Sequence, residues 1–242
     1  MRGGRGTAYK KSLARPPNPE GIVIMQALNR LGLFGGTFNP IHYGHLRAAE
    51  EVAEALALEQ LWFIPAAVPP LKASQDLTPF PVRLAMTRLA VGEHPVLQVS
   101  DLEGRLPGKS YTIETLRHLR GQFGPEAELY FILGLDAILE IQAWKDYREL
   151  FTLCHFVVLD RPGSPREELE TVLRREVHPG FLPLPEGAGF QHPGGLKVLH
   201  QAATLMDISS TRIRGLVGRG RSIRYLLPET VREYILRQKL YL

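Results

Sequence analysis

Residues 31–46 read Leu-Gly-Leu-Phe-Gly-Gly-Thr-Phe-Asn-Pro-Ile-His-Tyr-Gly-His-Leu, and their order decides how the chain begins to fold. An apolar run of β type, 31–34, ends in Gly35 and Gly36, and apolar residues then recur at helical spacing over 46–56. Strand, loop and helix follow one another directly. The two glycines let the backbone approach a ligand closely, while Pro40 stiffens the loop. His42 and His45 stand three apart, so at a helix start they can share one face beside the positive end of the dipole. That arrangement suits a polyphosphate. Neither Gly-Lys-Ser/Thr nor Gly-x-Gly-x-x-Gly occurs in the loop, which excludes the two commonest phosphate motifs. Two histidines without carboxylate or cysteine neighbours also make a poor metal pair.

The same alternation continues outward. Apolar runs at 61–64, 96–99, 129–133, 156–159 and 196–199 read as strands. Between them, 82–91, 113–119, 137–141 and 167–175 carry helical periodicity. Near-continuous apolar strands separated by helices imply a doubly wound α/β fold with a mostly parallel sheet covered on both faces. The Pro- and Gly-rich stretch 179–195 reads as a surface loop. From about 209 the pattern turns helical, at 210–217 and at 228–238, the latter with Pro228 in its first turn. Residues 28–242 are therefore expected to form one domain with a C-terminal helical segment, 209–242. In such sheets ligands gather at the carboxyl ends of the strands.

Composition narrows the function classes. The chain has 242 residues, 44% of them hydrophobic, ample for a conventional core. Its one cysteine, Cys154, can form no intramolecular disulfide and reads as a small buried hydrophobe, which fits a cytoplasmic protein. The longest apolar stretches fall far short of the roughly 20 residues that span a bilayer. Residues 1–24 hold Arg2, Arg5, Lys10, Lys11 and Arg15 against the single acid Glu20, so the whole formal charge of +4 lies in this arm. The remainder is balanced, unlike a body that tracks nucleic acid. Residues 1–27 read as a disordered basic extension, or as the product of an upstream start with Met25 the true beginning; they lack the apolar block of a secretory signal.

A second string, Ile208-Ser-Ser-Thr-Arg-Ile-Arg214, follows the last strand. Consecutive hydroxyls at a helix start offer donors to phosphate, and Arg212 adds a fork-shaped cation. Taken alone, such a string is an ordinary helix cap followed by surface arginines.

The two strings together resemble the signature motifs of the HxGH nucleotidylyltransferase superfamily, and within it the bacterial nicotinate-nucleotide adenylyltransferases. Further matches are Pro69-Pro70-Leu71-Lys72, Arg83 with Met86, Arg105 with 110–116, 131–136, Trp144, Arg161-Pro162-Gly163, and the closing 227–241. The similarity spans 30–242. It implies a Rossmann-like nucleotidyltransferase in which AMP passes from ATP to nicotinate mononucleotide by direct in-line attack, giving deamido-NAD and pyrophosphate in NAD biosynthesis. It further implies Mg²⁺ carried in with ATP and no protein metal ligand. His42, His45 and Arg212 would be the catalytic groups, with His45 the better placed for charge developing at the α-phosphate. Gly35, Gly36, Thr37, Phe38, Gly134, Asp136, Ser209, Ser210, Thr211 and Arg212 would contact ATP. Asn39, Lys72, Arg83, Tyr111, Thr112 and Trp144 would contact the acceptor, with Trp144 stacked on its pyridine ring.

Without the surrounding pattern, Trp144 reads as core, Asp136 as a helix cap, and Lys72 and Arg83 as solvated charges. Two positions depart from the family: Asn39 stands where Asp is usual, and Leu71 where histidine is commoner. The alternatives are nicotinamide mononucleotide or another phosphate as acceptor and, from a different class, an RNA-binding synthetase-like module.

Overall fold

Each expected strand and helix forms, displaced by no more than a few residues at its ends, because strand burial and helix caps follow the apolar periods. The computed structural model describes residues 28–70, 77–160, 166–204 and 206–242; the basic arm and Lys72 lie outside these. The first half runs β1 (Arg30–Gly36), α1 (Tyr43–Ala55), β2 (Gln60–Pro65), α2 (Phe80–Val91), β3 (Leu97–Val99), α3 (Leu102–Arg105) and α4 (Thr112–Phe123). The second half runs β4 (Glu128–Gly134), α5 (Leu135–Leu139), α6 (Tyr147–Leu153), β5 (His155–Asp160), α7 (Arg166–Val172), β6 (Leu182–Pro183), β7 (Gly189–Gln191), β8 (Lys197–Ala202), α8 (Ser210–Gly218) and α9 (Glu229–Arg237).

The sheet order is β3-β2-β1-β4-β5-β8-β7-β6. Its first six strands are parallel, and β1 lies between β2 and β4, with Leu33 opposite Trp62 on one side and Phe131 on the other. The chain winds outward from β1 in one direction and then from β4 in the other, so the crevice between their carboxyl ends is the switch point where such folds bind ligands.

Alternation along the strands sends side chains to two separate cores. Leu31, Leu33, Leu129, Phe131, Phe156 and Val158 pack with α4, α5 and α6 on one face. Phe34, Phe63, Tyr130, Ile132 and Val157 pack with α1, α2, α8 and α9 on the other. The C-terminal helices share a face with α1, and this brings the second string beside the first. Cys154 is buried at 0% exposure, and burial pushes its thiol well up, as expected of a small hydrophobe.

One expectation fails. The stretch 179–195 is not a plain surface loop: it holds β6 and β7, which extend the sheet, β7 pairing antiparallel with β8 and β6 antiparallel with β7. Phe181 and Phe190 are buried there. The Gly and Pro signals mark the turns of a hairpin, as at Gly195 with φ 92°, and its strands are too short to show a period. The helix α6 was also hidden, a seven-residue element entered through Asp146 at φ 50°.

Candidate active site

At the end of β1 the backbone enters a loop, 37–42, that feeds α1. Gly36 has no room for a side chain, since a Cβ there would stand 2.8 Å from the Phe38 ring. Phe38 adopts φ 47° and is 2% exposed, with its ring edge-on to those of Phe34, Phe63 and His45. This aromatic cluster seats the His45 imidazole, and the His42 and His45 rings stack 3.7 Å apart. The His42 amide, at the cap of α1, donates to His45 Nδ1 at 3.3 Å. Gly44 permits the stack, because a Cβ would come within 3.1 Å of His42 Nδ1.

The two imidazoles line a cavity of about 340 Å³ with Gly134 and Asp136 at the end of β4, and with Ala203, Thr204, Met206 and Ile208 after β8. At Gly134 a Cβ would meet no atom within 4 Å, so a side chain there would project into open space. Asp136 is exposed in the first turn of α5. His42 is 6% exposed, and burial lowers its imidazole from 6.5 to about 4. Its Nδ1 is buried and makes no close hydrogen bond.

The second string closes on the first. Ser210 Oγ donates to the Pro40 carbonyl at 2.7 Å, and Arg214 donates to the Asn39 carbonyl at 2.9 Å. Ser209 caps α8 by accepting from the Arg212 amide at 3.2 Å, and Thr211 Oγ1 accepts from Arg214 at 3.4 Å. All three hydroxyls therefore already have local partners. What the start of α8 offers a ligand is its free end of backbone N–H groups, with the Arg212 guanidinium exposed and bonded to Asp207 at 3.2 Å.

A second cavity, also about 340 Å³, lies on the other side of the loop and is lined by Thr37, Pro69, Pro70, Ser110, Tyr111, Thr112, Ala143, Trp144 and Lys145. Trp144 meets Phe131 edge-on at 6.1 Å, which holds one edge of the indole while the residue stays only partly buried. Lys145 pairs with Glu114 at 2.7 Å and lies 5.1 Å from the Tyr111 ring centroid. Arg117 joins Glu149 and Asp146 to the same exposed network.

Several residues expected at the ligands stand elsewhere. Thr37 faces the second cavity and not the histidines. Gly35 and Gly36 serve close packing against Phe131 and Phe38 and line neither cavity. Arg83 is 0% exposed, with its guanidinium on the carbonyls of Thr78 (2.7 Å), Thr37 (2.7 Å) and Ala67 (3.2 Å). It braces the loops behind the wall, with three of its five N–H donors on main-chain carbonyls. Asn39 is 4% exposed, and its Oδ1 accepts from the Tyr241 hydroxyl at 2.8 Å.

Glu103, Arg214 and Tyr241 were not singled out from the sequence. Glu103 accepts from Thr115 at 2.8 Å, and burial raises its carboxyl above the usual range. The arrangement of the switch-point crevice is thus two cavities divided by one loop, with imidazoles on one side and an indole on the other.

Comparisons with known proteins show the family and the fold. The cytidylyltransferase-like family model matches residues 33–216. A "Probable nicotinate-nucleotide adenylyltransferase" of Geobacter metallireducens is 47% identical over 212 residues, covering 88% of this chain and 98% of that protein. Its counterpart in Geobacter sulfurreducens is 45% identical over the same length. Among solved structures, the Plasmodium falciparum nicotinic acid mononucleotide adenylyltransferase complexed with NaAD superposes with a TM-score of 0.66 over 87% of this chain and 96% of that one, at 20% identity, which shows the shared fold.

Proposed function

The chain belongs to the cytidylyltransferase-like family and, within it, to the nicotinate-nucleotide adenylyltransferases, and from that premise we propose how it transfers AMP from ATP to nicotinate mononucleotide in NAD biosynthesis. The observation that carries the proposal is the pair of bonds from Ser210 and Arg214 to the carbonyls of Pro40 and Asn39. They join two strings distant in sequence at one crevice, with a cavity for each substrate on either side of the 37–42 loop.

ATP takes the histidine cavity, with its adenosine against Gly134 and Asp136 and its phosphates between the imidazoles and the start of α8. The acceptor takes the other, with its pyridine ring on Trp144 and its carboxylate near Thr112 and the amides around it. A phosphate oxygen of the mononucleotide attacks the α-phosphorus, the bond to the β-phosphate breaks opposite to it, and pyrophosphate leaves. No covalent enzyme intermediate forms, so the protein contributes positioning and charge stabilisation. His45, fixed by Phe34, Phe38 and its stack on His42, stabilises charge at the α-phosphate. His42, neutral through burial, donates a hydrogen bond. Backbone amides of 210 and 211 and the Arg212 guanidinium hold the leaving phosphates.

The chemistry depends on ATP, and in this family such transfer commonly uses a divalent metal. We take the ion to be Mg²⁺. Among the described residues no group of three or more His, Cys, Asp or Glu is placed to hold it. The triphosphate itself offers oxygen donors, and Asp136 is the one carboxylate on that cavity's described lining. Residues 28–242 act as one catalytic domain, since α8 closes on the first loop and α9 packs into the same core. No helix among the described residues is long and apolar enough to cross a membrane, and a cytoplasmic place of action is part of the proposal.

Pyrophosphate release from ATP with each mononucleotide in turn tests the reading. Rapid release with the acid is expected. A preference of tenfold or more for the amide overturns the acceptor assignment, and no release with either overturns the activity.

A further inference from the structure

The chain ends at the place where its first loop begins. After α9 the backbone turns back through two non-glycine residues in the left-handed region, Lys239 at φ 52° and Tyr241 at φ 64°. Such conformations are unfavourable for L-residues and persist only where the surroundings hold them. What they accomplish here is to seat the penultimate side chain under the active-site loop. The Tyr241 hydroxyl donates to Asn39 Oδ1 at 2.8 Å and lies 3.9 Å from Met86 Sδ. Burial pushes its phenol up to about 12, so it remains a donor at any working pH.

Asn39 sits at the middle of a loop whose two ends face different substrates: Thr37 lines the acceptor cavity, and His42 lines the nucleotide cavity. The loop's carbonyls are already gripped from below, Thr37 by Arg83, Asn39 by Arg214 and Pro40 by Ser210. These fix main chain. Tyr241 grips a side chain of the loop and does so from the C-terminus, touching neither cavity. We propose that Tyr241 is a positioning residue for adenylyl transfer: acting through Asn39, its hydroxyl holds the 37–42 loop in the register that aims the acceptor phosphate at the nucleotide. A displacement of the loop shifts both substrates' walls at once, and in-line transfer is sensitive to such shifts. The inference also gives Asn39 a use that needs only an accepting oxygen, which Asn and the family's usual Asp both provide. It rests on the adenylyl-transfer reading.

Tyr241→Phe, Asn39→Ala and the double variant test it, with Tyr234→Phe as a control for loss of a hydroxyl on the neighbouring helix. Each single variant is expected to lower kcat about tenfold, with KM for ATP and the mononucleotide within about twofold of the parent. The double variant should be no slower than the worse single one, since both remove one contact. Amide exchange over 37–42 should quicken about tenfold in both single variants and not in the control. A Tyr241→Phe kcat within twofold of the parent, multiplying losses in the double variant, or unchanged exchange overturns the inference. A parent chain inactive with both mononucleotides defeats the functional reading instead, and the exchange measurement still decides whether the latch exists.

Discussion

The two walls of the crevice are built by different means. On the nucleotide side, buried rings and main-chain bonds set the histidine loop: Phe38 under His45, His42 stacked on it, and Ser210 and Arg214 stitched to the loop. On the acceptor side, Trp144 and Lys145 sit on a short connection before α6, tied to α4 by exposed ion pairs of Arg117 and Lys145 with Glu114, Asp146 and Glu149. Exposed pairs contribute little each and are screened by salt. The contrast teaches that the chemistry is held rigidly while acceptor recognition hangs on a more adaptable segment. Damage on the first side should therefore strike turnover or stability, and on the second, apparent affinity.

The largest effect should come from His42. Its folded imidazole stays neutral down to about 4, whereas the unfolded chain protonates it near 6.5. Stability from this group is complete above pH 6.5 and is lost as pH falls toward 4, by at most on the order of 3 kcal/mol. Urea unfolding of the parent and of His42→Gln at pH 7.5 and 4.5 should show the parent losing more, and equal losses would sink the idea. Next comes His45→Ala, expected to cut kcat by a factor on the order of 10². Steady-state kinetics check this, and near-normal turnover would remove His45 from its role.

Trp144→Ala should raise the mononucleotide KM about tenfold, with the ATP KM within twofold, as loss of one stacking surface implies. A change confined to ATP would reverse the assignment of the two cavities. The smallest effect is Arg117→Ala, expected to raise the mononucleotide KM by no more than about threefold, more at low salt than at high. A loss of kcat in that variant would contradict the division between the walls.

Much of this was legible before any coordinates. Strand runs such as 129–133 declare themselves because strands buried on both faces are apolar throughout, and 35–45 and 208–214 are distinctive enough to place the crevice. The rest was hidden for physical reasons. Strands β6 and β7 are two and three residues long, below any period. Arg83 looks like a surface charge until three carbonyls at 3.2 Å or less account for its burial. Tyr241 lies 202 residues from Asn39, and no local pattern marks that contact. Of the hydroxyls of 209–211, read as phosphate donors, Ser210 donates to the Pro40 carbonyl, while Ser209 and Thr211 accept from N–H groups of α8, a local use that the string alone does not reveal. Lys72 lies outside the described residues, and its part in acceptor binding stays an expectation.

The most direct test of the central claim is a crystal structure of the chain with a non-hydrolysable ATP analogue. The account expects the triphosphate between the imidazoles of His42 and His45 and the first amides of α8, with the adenosine against Gly134 and Asp136. Phosphates bound away from either the histidines or the start of α8 would contradict it.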